Sequence, residues 1–75
     1  MEHDNRVTQK RLILEHLQRF GSIEPMTALR EYGCYRLSSR ISELRAEGVN
    51  IRTDYIAERS KITGNIVKFA KYILI

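Results

Sequence analysis

Cysteine is almost absent from this chain of 75 residues, and so are long apolar runs; each shortage excludes a class of protein. A lone cysteine, Cys34, cannot form an internal disulfide, and His3 and His16 lack the neighbouring cysteines of a structural zinc site. The longest apolar runs, such as residues 72–75, are far too short to span a bilayer, and the start of the chain lacks the apolar centre of a secretion signal. These shortages predict a cytoplasmic protein that uses no membrane, metal or other cofactor.

Catalytic motifs are also missing. The sequence has no Ser-His-Asp, paired-carboxylate or phosphate-loop pattern, so we expect no enzyme activity. Without repeats or linkers, the chain is predicted to consist of a flexible N-terminal segment, residues 1–7, and one folded domain, residues 8–75. Within that domain His16 is predicted to face solvent and Cys34 to be a small buried apolar residue.

The net charge of +4 comes entirely from the second half of the chain. Residues 1–34 contain five Lys or Arg and five Asp or Glu, whereas residues 35–75 contain eight and four. An excess of basic residues confined to one part of a chain is typical of a surface that binds a polyanion. Nucleic-acid contacts are therefore expected in the second half.

A first helix is predicted from Thr8 to Phe20. The Thr8 hydroxyl can accept a hydrogen bond from an amide of the first turn, and Gly21 can supply a left-handed stop. Residues 22–23 are expected to form a small strand beside a later hairpin. The stripe predicted to face the core consists of Ile13, Leu14, Leu17 and Phe20.

Two short helices joined by a tight turn at Gly33 are predicted between Pro25 and Gly48. Proline suits a first helical turn because its fixed φ and missing amide do no harm there, although Glu24 before it is a weak cap. The inner face of the first of these helices contains Leu29 and Tyr32 together with either Met26 or Ala28.

The second of these helices is predicted over residues 35–47. Leu37, Ile41 and Leu44 form a buried stripe, and the opposite side exposes polar residues. Two such helices have the outline of a helix-turn-helix whose second helix reads DNA.

From residue 49 the pattern changes to the alternation of β-strands. Strands are predicted over residues 50–56 and 66–74, with residues 57–65 as a charged hairpin tip. A hairpin with a basic tip after a helix-turn-helix is a wing. The predicted fold is mostly α with a β-hairpin wing: a winged helix-turn-helix in the order helix, short strand, helix, helix, strand, strand.

The pattern GSIxPxxALxxxG followed by RLxxRIxxLRxxG, over residues 21–33 and 36–48, resembles a family of small winged helix-turn-helix proteins found largely in bacteriophages and prophages. The resemblance covers residues 8–56, with a weaker tail at residues 71–74, and the chain departs from it at Glu24, where the family more often has threonine. It implies a winged-helix fold and, by analogy, DNA binding without enzyme activity. The role predicted for the chain is a phage-type transcriptional regulator or an architectural accessory factor.

The predicted reading helix offers several contacts to double-stranded DNA. Arg36 is the first choice for a base contact, because a guanidinium can donate two parallel hydrogen bonds to guanine. Ser39 is short enough for a base or a phosphate, and Tyr35 either contacts DNA or packs over the end of the preceding helix. Arg40 either contacts phosphate or pairs with Glu43, which itself either reads a cytosine amino group or ends the contact zone.

Basic residues of the wing are predicted to meet the DNA backbone or the minor groove, unless they serve only to keep the hairpin tip soluble. The full set of predicted DNA-binding residues is Tyr35, Arg36, Ser38, Ser39, Arg40, Glu43, Arg52, Arg59, Lys61 and Lys68.

A second hypothesis is that the same scaffold is a protein-interaction module that binds a host or phage protein. Three acidic residues near the expected DNA surface, Glu43, Asp54 and Glu58, keep this hypothesis open. A single small module contacts few base pairs, so DNA binding also predicts a homodimer or a cooperative array. The C-terminal residues 72–75 are either an adhesive surface for such assembly or a strand end packed on its own core.

Overall fold

The computed structural model describes residues 8–75, so the predicted flexible segment 1–7 lies outside the described residues. Three helices and an antiparallel sheet of three strands follow one another in the predicted order, which confirms the fold class. The elements are α1 (Gln9–Phe20), β1 (Ser22–Ile23), α2 (Pro25–Tyr32), α3 (Leu37–Ala46), β2 (Ile51–Arg59) and β3 (Ile66–Leu74).

Helix α1 has the predicted ends. The backbone amide of Arg11 donates to the Thr8 hydroxyl at 3.2 Å, and Gly21, at a φ of 86°, donates its amide to the Leu17 carbonyl at 2.8 Å. The predicted stripe is partly wrong, because Phe20 is 64% exposed. It occupies the last turn, where the chain reverses at Gly21, and its ring packs on His16 instead of the core.

Helix α2 buries Ala28 completely and leaves Met26 67% exposed, so the alternative inner face with Ala28 is the correct one. Glu24 makes no side-chain capping hydrogen bond, as its chemistry predicts. The helix ends at Gly33, whose φ of 63° is left-handed.

Helix α3 begins at Leu37, two residues later than predicted. The amide of Cys34 donates back to the Ala28 carbonyl at 3.1 Å, so the chain is still completing the turn after α2 at that point. Arg36 has non-helical angles, φ −118° and ψ 61°, and is the N-cap residue without a capping side chain. Tyr35 and Arg36 therefore precede the helix instead of belonging to its exposed face.

The sheet has the strand order β1-β3-β2. Ser22 of β1 lies opposite Ile73 of β3, which confirms the predicted short strand beside the hairpin. Strand β3 has the predicted ends, but β2 continues three residues further than predicted, to Arg59. The extension occurs because residues 57–59 pair with residues 66–68, which shortens the tip to residues 60–65.

The core lies between the helices and one face of the sheet. Cys34 is buried, as predicted, and at the C-terminus Tyr72 is buried while Leu74 packs against the core. The C-terminal strand end thus packs on its own domain, and Ile75 is left 75% exposed. The buried apolar residues are Ile13, Leu17, Ile23, Ala28, Cys34, Leu37, Ile41, Leu44, Ile51 and Tyr72.

Candidate nucleic-acid interface

The register of the hairpin assigns every residue of β2 and β3 to one of two faces, because side chains alternate along a strand and directly paired residues share a face. Thr53 lies opposite Tyr72, which belongs to the core, so their face is the one that the helices cover at the base of the hairpin. The helix-side face consists of Ile51, Thr53, Tyr55, Ala57, Arg59, Ile66, Lys68, Ala70, Tyr72 and Leu74. The outer face consists of Arg52, Asp54, Ile56, Glu58, Val67, Phe69, Lys71 and Ile73.

The predicted basic residues of the wing are divided between these faces. Arg59 and Lys68 lie on the helix-side face, towards the tip, where both residues are exposed. Arg52 lies on the outer face and forms a bidentate pair with Asp54, at 3.1 and 3.3 Å. Lys61 is exposed in the turn at the tip. The structure thus brings three of the four predicted wing cations towards one end of the domain and separates Arg52 from them.

Helix α3 presents a polar, mostly small surface on the side away from the core. Ser38, Ser42 and Glu43 are exposed, and Ser39 is half-buried. Short hydroxyl side chains leave the helix backbone free to approach a duplex closely and can donate or accept hydrogen bonds.

Arg40 pairs with Glu43 across one helical turn, with 3.4 Å between Nη2 and Oε2, so the alternative of an intrahelical pair is the one that the structure contains. The Arg40 side chain is 30% exposed, and its Nε atom is buried without a hydrogen-bond partner within residues 8–75. A partly exposed pair at the surface contributes little to stability, so the arginine can exchange its carboxylate partner for another anion at small cost.

Tyr35 and Arg36 form the entry to α3. Tyr35 is 85% exposed, so the alternative in which it packs over the end of α2 is wrong. Arg36 is exposed and stands at the N-terminus of the helix instead of on the side opposite Ile41. Both side chains flank the helix end from which a recognition helix contacts bases.

Two residues near this surface were missed in the sequence. Tyr55 lies on the helix-side face and is 75% exposed. Its position as an aromatic residue in a predicted strand was the sequence feature that could have identified it. Arg45, in the last turn of α3, donates from Nε and Nη2 to the Ile51 carbonyl, at 3.1 and 2.7 Å. It also donates from Nη2 to the Thr53 hydroxyl at 2.8 Å, which fastens α3 to β2.

The expectation that His16 faces solvent is wrong, because its ring contacts side chains of α1 and α2. Its Nδ1 lies 2.7 Å from the Tyr32 hydroxyl, and its ring centroid lies 4.6 Å from that of Phe20. Burial lowers the pKa of His16 below its usual value, and the nearby Glu31 carboxylate partly opposes that shift. His16 joins α1 to α2 and lies outside the polar surface of α3.

Comparison with known proteins identifies a family match. The sequence pattern of a family described as a winged helix-turn-helix domain matches residues 8–75, which are the residues that the structure describes. No curated protein matches the chain. Across residues 8–75, no helix has the length and apolar character needed to cross a membrane.

Proposed function

This chain belongs to the winged helix-turn-helix domain family, and from that membership we propose that it binds double-stranded DNA through α3 and the helix-side face of the wing. Winged helix-turn-helix domains in general support DNA binding and are typically not enzymes. In the proposed complex, α3 lies in the major groove and the wing lies beside it.

The observation that carries the proposal is the separation of charge between the two faces of the hairpin. The helix-side face has two cations, Arg59 and Lys68, and no carboxylate. Both acidic residues of the hairpin, Asp54 and Glu58, lie on the outer face. A face with cations and no carboxylate is suited to a phosphate backbone.

The same separation weakens the protein-interaction hypothesis. That hypothesis rested on three acidic residues near the DNA surface, and the register moves Asp54 and Glu58 to the outer face. Glu43 remains on α3, where it pairs with Arg40.

Base reading is assigned to the N-terminal half of α3. Ser38 and Ser39 lie in its first turn, and Arg36 directly precedes it. From this position the Arg36 guanidinium can donate to guanine O6 and N7, a contact worth about 1–3 kcal/mol of discrimination. Tyr35 and Arg40 flank the helix and are assigned to phosphates; Arg40 exchanges Glu43 for a phosphate on binding.

The proposed biological role is a cytoplasmic transcriptional regulator or architectural accessory factor of the phage type. Because one module of this size contacts few base pairs, the proposal includes binding as a homodimer or as a cooperative array.

The proposal is tested by fluorescence anisotropy of a labelled random-sequence duplex titrated with the protein over a series of salt concentrations. Five cations are proposed at the interface: Arg36, Arg40, Arg59, Lys61 and Lys68. Each neutralised phosphate contributes about −0.9 to the slope of log affinity against log salt, so the expected slope is about −4 to −5.

Strand β3 supplies a matched pair of variants, because Lys68 and Lys71 lie on opposite faces. Lys68→Gln is expected to reduce the magnitude of the slope by about 0.9, whereas Lys71→Gln leaves it unchanged. Equal effects of the two variants would contradict the assigned face, and no binding at low salt would contradict DNA binding itself.

A further inference from the structure

Ile62 is exposed to an extent that the packing of the domain does not explain. It is 95% exposed, more than any other large apolar side chain among residues 8–75. It lies in the turn at the wing tip, between β2 and β3. An isoleucine in that position stabilises nothing within its own domain, because it buries almost no apolar surface there.

The turn that carries Ile62 is held by a dense set of hydrogen bonds. The Ser60 hydroxyl accepts from the amides of Ile62 and Thr63, at 3.3 Å each, and Gly64 donates to the Ser60 carbonyl at 2.9 Å. The amide of Ser60 donates to the Asn65 carbonyl at 2.8 Å. The tip is therefore a defined turn that presents the isoleucine in an ordered position, which reduces the entropy lost on binding.

Arg59 reinforces this turn. Its Nη1 donates to the Gly64 carbonyl at 2.8 Å, which keeps a cation at the base of the tip. Lys61 stands directly beside Ile62, and Lys68 lies on the helix-side face a short distance along β3. Residues 59–68 contain these three cations and no carboxylate. An apolar side chain among cations alone fits a narrow, negatively charged groove with apolar base faces beneath it.

We propose that Ile62 is a wedge that enters the DNA minor groove beside the bound reading helix and partly unstacks one base step, so that the protein bends the duplex. This inference rests on the proposed DNA binding. Architectural proteins use isoleucine and similar residues in this way, and the resulting kinks are about 20–90°. Pyrimidine–purine steps, above all TA, unstack most readily, so the wedge gives the domain a sequence preference that needs no hydrogen bond to a base.

Bending is measured by energy transfer between donor and acceptor dyes at the two ends of a 30-bp duplex, saturated with protein at low salt. One duplex carries TA steps at its centre, and a second has the same base composition without pyrimidine–purine steps at its centre. The expected result is a rise in transfer efficiency with the natural protein, larger for the TA duplex. Ile62→Ala is expected to abolish most of the rise while reducing affinity less than tenfold, and Ile62→Leu is expected to retain it.

Ile75→Ala is the control, since Ile75 is also strongly exposed but lies at the end of the chain after β3. It is expected to bend DNA like the natural protein. Permanganate oxidation of thymine supplies an independent reading, because an unstacked thymine reacts faster. The natural protein should increase the reactivity of a central thymine, and Ile62→Ala should not.

Two results would overturn the wedge while leaving DNA binding intact. One is an Ile62→Ala variant that bends the duplex as the natural protein does and binds with the same cooperativity. The other is an Ile62→Ala variant that keeps the bend per bound protein but binds with less cooperativity, which would assign Ile62 to contacts between copies. A natural protein that does not bind either duplex in anisotropy would instead overturn the proposed function, and the wedge with it.

Discussion

Arg45 and Thr53 connect α3 to β2: the Arg45 Nη2 atom donates to the Thr53 hydroxyl at 2.8 Å and to the Ile51 carbonyl at 2.7 Å. The arginine leaves α3 in its last turn and the two acceptors lie on β2. A cation at a helix C-terminus is also favoured by the helix dipole. Arg45 therefore helps the packed core to fix the angle between α3 and the hairpin.

Replacing Arg45 with alanine is expected to weaken DNA binding although Arg45 is not proposed to contact DNA. Without these hydrogen bonds, the hairpin is held less firmly at its base. Part of the proposed contact between the wing and DNA is then lost. Urea unfolding should show a loss of about 1–2 kcal/mol, and the salt slope should decrease in magnitude. Thr53→Val, which removes one acceptor and keeps the shape, should show a smaller loss of the same kind; an unchanged salt slope in Arg45→Ala would contradict a positioning role.

Replacing Glu43 with glutamine is expected to strengthen DNA binding several-fold. The substitution removes a carboxylate that repels phosphate and releases Arg40 from the 3.4 Å pair. Stability should change by less than about 0.5 kcal/mol, because such a pair at the surface contributes little. Anisotropy at one fixed salt concentration measures the affinity, and Glu47→Gln is the comparison on the same helix end. Weaker binding by Glu43→Gln would indicate that Glu43 accepts a hydrogen bond from a base.

The His16 pKa predicts a loss of stability between about pH 7.5 and pH 5.5. Because burial lowers the folded-state pKa, the unfolded chain takes up a proton first as the pH falls. The stabilisation is fully present above the unfolded-state pKa of 6.5 and is lost as the pH falls through the folded-state pKa. Urea midpoints at the two pH values measure the loss, and His16→Gln should reduce the difference between them. An equal difference in the variant would assign the effect to another group.

Substitution of Gly33, in the turn between α2 and α3, is expected to destabilise the domain through the backbone conformation at this position. A Cβ added there meets no atom within 4 Å among residues 8–75, but the φ of 63° is unfavourable for alanine. Gly33→Ala should therefore destabilise the domain by about 1–2 kcal/mol. Gly33→Asn should cost less, since asparagine tolerates this conformation better. Thermal unfolding compares the two, and equal losses would indicate that space, not conformation, limits the position.

Local signals in the sequence were sufficient for the element order and for most element ends. Thr8, Gly21, Pro25 and Gly33 act through their own backbone or nearest amides, so the ends of α1 and α2 were predictable without knowledge of the fold. The apolar spacing of Leu37, Ile41 and Leu44 likewise placed the inner face of α3. The strand alternation after residue 49 predicted the wing, and the basic excess of residues 35–75 together with the family pattern in residues 21–48 predicted DNA binding.

Tertiary contacts decided what the local signals left open. The start of α3 depends on the Cys34 amide bonding back to Ala28, and the environment of His16 depends on Tyr32 from another helix. Above all, pairing between β2 and β3 sets the face of each side chain. A shift of β2 by one residue would exchange Arg59 with Asp54 and Glu58 between the two faces, and a shift of β3 would exchange Lys68 with Lys71. The sequence by itself thus determined a basic wing on a helix-turn-helix, whereas only the register, fixed by burial of Ile51 and Tyr72, decided which charges share a side with α3.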